Sequence, residues 1–353
     1  MQQQLLVNKN DLADVRWQES DVPAIGADAN VVLKIDKFAL TANNITYAVA
    51  GESMQYWQFF PTEEGWGRVP VWGFGTVIES AHPEVSIGER FYGYFPVGSH
   101  LAIQAEVTSQ GMVDVAPHRQ ALARVYNQYS RAGTEDMRAD AAEMVYRPLY
   151  MTSFMLADFA DNNDNFGATD IILTSASSKT SLGLAYLLHA AGKVRVVGLT
   201  SAKNVEFVTS LGCYHEVVTY DDITGLDAGR ASMIIDMAGN GAALAAVHNH
   251  FRDQLKYSCL VGATHWDARA GAHDMAGPKP ELFFAPAHIE ARSKELGPAE
   301  LQRRFGEAWD GFVDKAADWI EIATLQGPQN VEQYYLDLLG DRINPAQAAI
   351  LSV

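Results

Sequence analysis

Residues 174–183, TSASSKTSLG, bring hydroxyls and one ammonium together where a chain could hold an anion. The stretch follows the apolar run DIIL and leads into KTSLGLAYLLHAAG, whose apolar spacing is helical. A strand, a small-residue turn and a helix aim backbone amides and the positive end of a helix dipole at one point. Ser175, Ala176, Ser177, Ser178, Lys179 and Thr180 are therefore candidate phosphate contacts. Serine lacks the freedom of glycine at positive φ, but its hydroxyl can donate to a phosphate oxygen and it caps helices well. Lys179 stands near a helix start, where the dipole disfavours a cation, and an anion beside it would account for its place. Charge-assisted bonds of that kind are worth roughly 1.5–3 kcal/mol each. The plainer alternative is a serine N-cap beside a solvated lysine. No glycine precedes the lysine at the spacing of a Walker A loop.

A second clue lies at the end of the next strand, VVGLTSAKN. Dinucleotide sites for NAD carry an acidic residue there, which accepts from the ribose hydroxyls. Here Thr200, Ser201 and Lys203 occupy the position. Hydroxyls and an ammonium would hold a 2′-phosphate that a carboxylate would repel, so NADP(H) is the expected cofactor. An ordinary N-cap at Ser201 is compatible with the same role. Loops at the carboxyl ends of later strands line the crevice in such folds. They carry Ala238 and Gly239 toward ribose or nicotinamide, Val261 and Gly262 toward the carboxamide, and His265 and Trp266 toward a substrate.

These residues need elements to place them. The chain has 353 residues, 48% of them apolar, enough for one large domain or two ordinary ones. Its net charge of −17 sets aside nucleic acid and anionic membrane surfaces as partners. Two cysteines without a CxxC fit a reducing compartment, and no leader or spanning segment is evident, so the expected location is the cytoplasm. Residues 1–117 read as mostly β, with NVVLKIDKFAL and TVIES as strands and irregular loops over 45–75. Beyond residue 118 the pattern becomes helical, with an interruption at Pro148, and then alternates between strand and helix. The runs IIL, VVGL and MIID are apolar throughout, as strands buried on both faces must be. The expected class is α/β with a doubly wound parallel sheet. Residues 298–325 read as one long amphipathic helix, and the tail as helix, turn and closing strand. PELFFAPAHIEAR has strand character and suggests a sheet edge paired across a two-fold axis in a homodimer.

The succession of motifs resembles the medium-chain dehydrogenase/reductase superfamily. VPVWGFGTVIES resembles its glycine-rich strand and turn, and VSIGERFYGY its VGDRV turn. ADAAEMVYRPLYMTSFML resembles the helices before its nucleotide fold, and DIILTSASSKTSLGLAYLLHAAG its phosphate-binding unit. On this likeness Ser175, Ser178 and Ser181 stand where glycines are usual. The resemblance implies a GroES-like β-rich catalytic domain, residues 1–135 and 326–353, and a Rossmann NADP-binding domain, residues 136–325. Leu40 and Thr41 lie where zinc-dependent members have their first cysteine ligand, and Val71 and Trp72 replace their His-Glu pair. No metal is therefore expected, and the likeness is to the zinc-free quinone, enone and enoyl reductases.

Such reductases need a donor for a developing enolate oxygen and a proton for the α-carbon. Asn44 could donate to a carbonyl, and Tyr47 or Tyr56 could supply the proton, although packing among Trp57, Phe59 and Phe60 explains the tyrosines equally well. Trp57, Arg147 and Tyr150 are candidate substrate contacts, and Thr152 is counted with the cofactor. A structural ion pair is an equal alternative for Arg147. His248 and His250, two apart on a helix, diverge too far to share a metal. The expected activity is zinc-independent, NADPH-dependent reduction of a conjugated carbonyl or a quinone. Two rivals remain: a protein that binds NADPH without turnover, and a reductase-like fold performing lyase chemistry.

Overall fold

The computed structural model describes residues 1–261, 275–316 and 318–353. The chain forms two units, Met1–Val145 with Ile320–Val353, and Tyr146–Trp319.

In chain order the first unit begins with β1 (Gln2–Asn8), β2 (Asp11–Ser20), β3 (Val31–Leu40), α1 (Ala42–Val49), β4 (Trp66–Gly67), β5 (Pro70–Ser80) and β6 (Arg90–Pro96). It continues with β7 (His100–Ile103), β8 (Ala105–Thr108), β9 (Gly111–Asp114), β10 (Gln128–Arg131) and α2 (Met137–Val145). The second unit holds α3 (Arg147–Asn162), β11 (Asp170–Leu173), α4 (Lys179–Ala191), β12 (Arg195–Thr200), α5 (Val205–Ser210) and β13 (Glu216–Thr219). After these come β14 (Ser232–Asp236), α6 (Gly241–Phe251), β15 (Leu255–Leu260), β16 (Glu281–Leu282), α7 (Ala285–Leu296) and α8 (Pro298–Ala316). The chain then returns to the first unit with β17 (Glu321–Gln326), α9 (Pro328–Leu339) and β18 (Gln347–Ser352).

The second unit is the doubly wound sheet expected from its apolar runs. All its strand pairs are parallel, in the order β13-β12-β11-β14-β15-β16. Alternate side chains enter two cores, as a strand's period of two requires. Ile171, Leu173, Val196, Met233 and Ile235 pack on one face, and Ile172, Val197, Leu199 and Ile234 on the other. The strand order reverses between β11 and β14, which makes their carboxyl ends the switch point where ligands bind in folds of this kind.

The first unit is built on a sheet ordered β17-β18-β3-β5-β6-β10-β9-β8, with β7 also on β3, beside a three-stranded sheet β2-β1-β4. The boundaries drawn from sequence shift by one element at each end. Helix α2 belongs to the first unit because buried Asp140 pairs with Lys37 of β3 at 2.8 Å and with Arg90 of β6 at 2.5 Å. Strand β17 belongs there because it runs parallel to β18 in full register. The expected helix over 298–325 therefore stops at Ala316 at the latest described residue, and IEIATLQ is captured by the sheet. Helix α1 reaches into the stretch read as loop, and the β1–β2 hairpin adds two strands to the part read as mostly β. Of PELFFAPAHIEAR only Glu281–Leu282 is strand; the rest begins a helix with Pro286 in its first turn. The expected interruption falls just before Pro148: α2 ends at Val145, and Pro148 sits in the first turn of α3. No described helix is long and apolar enough to cross a membrane.

Asp140→Asn would leave Lys37 and Arg90 facing a neutral group inside the unit. A loss of about 3–5 kcal/mol in urea unfolding is expected, whereas breaking the exposed Lys193–Asp161 pair should change stability by less than about 1 kcal/mol.

Candidate functional site

The switch point is fastened by one side-chain pair. Thr174, just after β11, donates from Oγ1 to Asp236 Oδ1 of β14 at 2.6 Å, and both residues are buried. Thr174 Oγ1 also accepts from the amides of Met237 at 2.8 Å and Ala238 at 3.0 Å. Ala238 N–H is shared with Asp236 Oδ1 at 3.1 Å. Gly239 then takes φ +60, which a residue without Cβ tolerates, and Asn240 caps α6. Ala238 and Gly239 are thus fixed beside the turn that opens α4.

That turn uses its serines in different ways. Ser175 sits at φ +46, the left-handed conformation a glycine would take, and its amide donates to the Tyr220 hydroxyl at 2.8 Å. Ala176 is buried: its amide donates to Leu199 O, and its carbonyl accepts from the Tyr214 hydroxyl at 2.8 Å. Gly198 of β12 makes that approach possible, since a Cβ there would press on both Tyr214 and Ala176. Ser177 Oγ accepts from Asn204 Nδ2 at 3.1 Å and keeps its own proton to give. Ser178 is the N-cap of α4, accepting from Ser181 N at 3.2 Å. Its hydroxyl proton goes to Ser181 Oγ, and Ser181 donates to Thr174 O at 3.0 Å. Ser178 and Ser181 therefore turn their hydroxyls into the fold, which corrects the expectation that Ser178 offers its hydroxyl to a phosphate. Ser175, Ser177 and Thr180 stay half-buried at the turn. Lys179 is the first residue of α4, and burial pushes its ammonium down from an ordinary 10.5 to about 8.

The next strand ends alongside. Thr200 is buried, Ser201 precedes a short turn of helix, and Lys203 is exposed. Thr152 is half-buried on α3, next to Ser153, whose hydroxyl reaches Thr180 O at 2.7 Å. Gly183 lets α3 and α4 cross closely there: a Cβ would meet Ser153 Oγ and the Tyr150 ring. Val261 uses its amide on Asp236 O at 2.9 Å, leaving only its carbonyl for a ligand. Gly262, His265 and Trp266 lie outside the described residues.

Several expected substrate contacts are structural. Tyr150 is fully buried, stacks on Phe312 with ring centroids 4.2 Å apart, and donates to Ala308 O. Trp57 lies between Gly51 and Gly67, either of which would overlap the indole if it carried a Cβ. Asn44 is buried: its Oδ1 accepts from Thr41 N at 2.7 Å and its Nδ2 donates to Pro70 O at 2.8 Å. It closes the first turn of α1, a place its capping residue types favour. Arg147 opens α3 and is half-buried.

Tyr47 and Tyr56 do come together, with ring centroids 4.5 Å apart. Burial raises both phenols above their ordinary range. The structure adds Tyr126, whose hydroxyl lies 3.4 Å from that of Tyr56, and Trp72, whose Nε1 points at the Tyr47 hydroxyl at 3.5 Å. Neither Tyr126 nor Tyr220 carries a motif; within their own units Tyr126 meets Tyr56 and Tyr220 meets Ser175, each through a contact distant in sequence. His248 and His250 point to different partners, Ser258 with Ala276 and Leu226 respectively. Among the described residues no group of three or more His, Cys, Asp or Glu is placed to hold a metal ion.

Residues 38–344 match a family described as "Protein of unknown function (DUF2855)". Comparison with curated proteins finds no match. Among solved structures the chain is similar to CurA from Vibrio vulnificus in complex with NADPH, at 12% identity and TM-score 0.66 over 99% of this chain and 98% of that one. It is also similar to the yhdH oxidoreductase of Salmonella enterica in complex with NADP, at 14% identity and TM-score 0.56 over 99% of both chains. A quinone oxidoreductase from Coxiella burnetii aligns at 13% identity and TM-score 0.56, over 100% of this chain and 99% of that one. At such identities the likeness establishes the fold alone, an α/β architecture shared over nearly the whole chain.

Ser175 holds a left-handed conformation that costs an L-residue about 1–2 kcal/mol. Ser175→Gly removes that cost and adds some unfolded-state entropy, so a net gain of about 0.5–1 kcal/mol is expected in denaturant melts. A loss of stability would show that the Ser175 hydroxyl matters more to the turn than its backbone does.

Proposed function

The chain belongs to the DUF2855 family, and we propose that it is a zinc-independent, NADPH-dependent reductase of a conjugated carbonyl compound or a quinone. The observation that carries this reading is the turn at the switch point, with a glycine-like backbone at Ser175 and a half-buried cation at Lys179 whose charge is partly desolvated. The residues present fit a dinucleotide. The start of α4, the Ser175, Ser177 and Thr180 hydroxyls and Lys179 would hold the diphosphate. Thr200, Ser201 and Lys203 would take the 2′-phosphate, and Tyr220 braces the turn from the neighbouring strand end. Ala238 and Gly239 would border the ribose, held in place by Thr174 and Asp236. Bound NADPH would supply a hydride. Tyr47 and Tyr56, kept neutral by burial, would offer protons to the oxygen that gains charge. Thr41 and Trp72 at the positions of zinc ligands support the zinc-free reading. The neighbours crystallised with NADP and NADPH support the choice of cofactor. The two buried free thiols suit a reducing, cytoplasmic compartment.

The sign of Lys179's titration gives a direct check. With its folded pKa near 8 and its ordinary value 10.5, the burden of the buried charge is present in full below pH 8 and is relieved as pH rises toward 10.5. An anion beside it reverses that preference, so NADPH affinity should be full below pH 8. It should fall by up to about tenfold per pH unit above it. Lys179→Met should flatten the profile in equilibrium titrations. Absence of saturable NADPH binding would end the reading. Binding without NADPH oxidation over a panel of enones and quinones would turn it into a non-redox one.

We also place a second copy of the chain on the β16 edge. Among the described residues that strand ends the parallel sheet, and Leu282 on it and Phe284 just beyond it are 59% and 39% exposed, an edge of the kind proteins usually cover. Light scattering should report a dimer that Leu282→Lys converts to monomer; a wild-type monomer would refute it.

A further inference from the structure

In the first unit four phenols meet: Tyr47, Tyr56, Tyr94 and Tyr126. The Tyr56 and Tyr126 hydroxyls lie 3.4 Å apart, and Trp72 Nε1 lies 3.5 Å from the Tyr47 hydroxyl. Bonds between hydroxyls ordinarily measure about 2.7–2.8 Å, so the Tyr56–Tyr126 contact is long. The Tyr94 hydroxyl is buried and has no hydrogen-bond partner among the described residues. A buried donor without an acceptor is costly, and an oxygen placed among these groups would relieve it. Burial pushes all four phenols upward, so they remain proton donors throughout the physiological range.

The surroundings limit what that oxygen belongs to. Arg119, the cation packed against the cluster over the Phe60 ring, is already paired with buried Asp114 at 2.9 Å. Its charge is balanced there, so Arg119 itself does not offset a carboxylate or a sulfonate. The walls are flat: Trp72 stacks on Tyr92 at 5.5 Å and 20°, and the Tyr94 and Tyr126 rings lie 4.7 Å apart. Trp72 and Tyr126 are half-buried, whereas Tyr47, Tyr56 and Tyr94 are buried, so the first two form the accessible side.

We propose that Tyr126, which lies outside every motif of the superfamily resemblance, joins Tyr47, Tyr56 and the Trp72 indole as a donor array that binds the oxygen of a flat, uncharged carbonyl compound. This rests on the reductase reading and narrows its substrate to molecules whose oxygen-bearing end is neutral.

The test uses the full chain without NADPH and follows quenching of tryptophan fluorescence by a neutral naphthoquinone. Saturable binding is expected, weakened about three- to tenfold in Tyr126→Phe and in Tyr56→Phe, with NADPH affinity and melting temperature unchanged. A naphthoquinone sulfonate should bind at least about tenfold more weakly to the wild-type chain, a comparison that needs no variant. Equal affinity for the two quinones, no quinone binding, or full affinity in folded Tyr126→Phe would each overturn the proposal. NADPH titration separates the two readings: a chain that binds NADPH but fails these tests loses only the donor array. A chain that binds the quinone as described but not NADPH loses the reductase reading and keeps the array.

Discussion

The second unit depends on a short bond between Thr174 and Asp236. Parallel strands diverge in their connections where the order reverses, and nothing in the sheet ladder itself holds the two loops that leave β11 and β14. Thr174 does so with one hydroxyl, donating to a carboxylate and accepting from two amides of the opposing loop. Because Thr174 and Asp236 are buried, leaving either unpaired would be expensive, and the network favours one arrangement. The positions of Ala238 and Gly239 follow from it, and so does the point from which Ser175 turns back. Removing the hydroxyl would take one donor from the carboxylate and the shared acceptor from two amides, and so loosen the tie between the two loops.

The first unit relies on a different constraint, the exchange of side-chain volume between glycines and aromatic rings. Trp57 occupies the space that Gly51 and Gly67 leave open, and the Tyr129 ring lies against Gly93. Large rings buried this way bring much apolar area out of water, but each needs a partner position without a Cβ. That arrangement explains why a segment rich in Gly, Pro and aromatic residues is ordered here. It also explains why the tyrosines sort into two groups. Tyr129 donates to Tyr94 O at 2.8 Å and Tyr335 to Leu12 O at 3.1 Å, both fixing backbone. Tyr47, Tyr56 and Tyr126 instead direct their hydroxyls at one another.

The parallel sheet was legible in the sequence because burial on both faces forces runs such as IIL and MIID, which few other elements require. The turn between β11 and α4 was legible from its place between such a strand and a run of helical spacing. The ends of elements were less so. Helical spacing over 298–316 continues into IEIATLQ, and only pairing with β18, distant in the chain, makes that stretch a strand. Helix α1 begins with Ala-Asn-Asn, poor in strong helix formers, and forms because Thr41 and Asn44 close its first turn. The same bonds explain the displacement of Asn44 from a catalytic reading: a residue type suited to donate to a ligand is equally suited to cap a helix. Tyr126 and Tyr220 could not be singled out, since nothing local marks a tyrosine whose partner lies 70 or 45 residues away.

The three serines at glycine positions show how one substitution pattern can conceal three different requirements. At Ser175 the backbone takes the left-handed conformation anyway, so the constraint there is on φ, and serine tolerates it at some cost. At Ser178 the backbone is extended at φ −72, and the side chain is wanted as a cap. At Ser181 the constraint is on space: the residue is fully buried, and its hydroxyl fits only because it donates to Thr174 O. Where glycine would leave amides exposed to a ligand, serine supplies internal bonds that hold the turn in shape. The turn therefore reaches its geometry without the flexibility of a glycine loop, and less ordering is left for a ligand to impose when it binds. Two tyrosine hydroxyls, from Tyr214 and Tyr220, complete the brace from outside. In this fold rigidity comes from side chains around the turn.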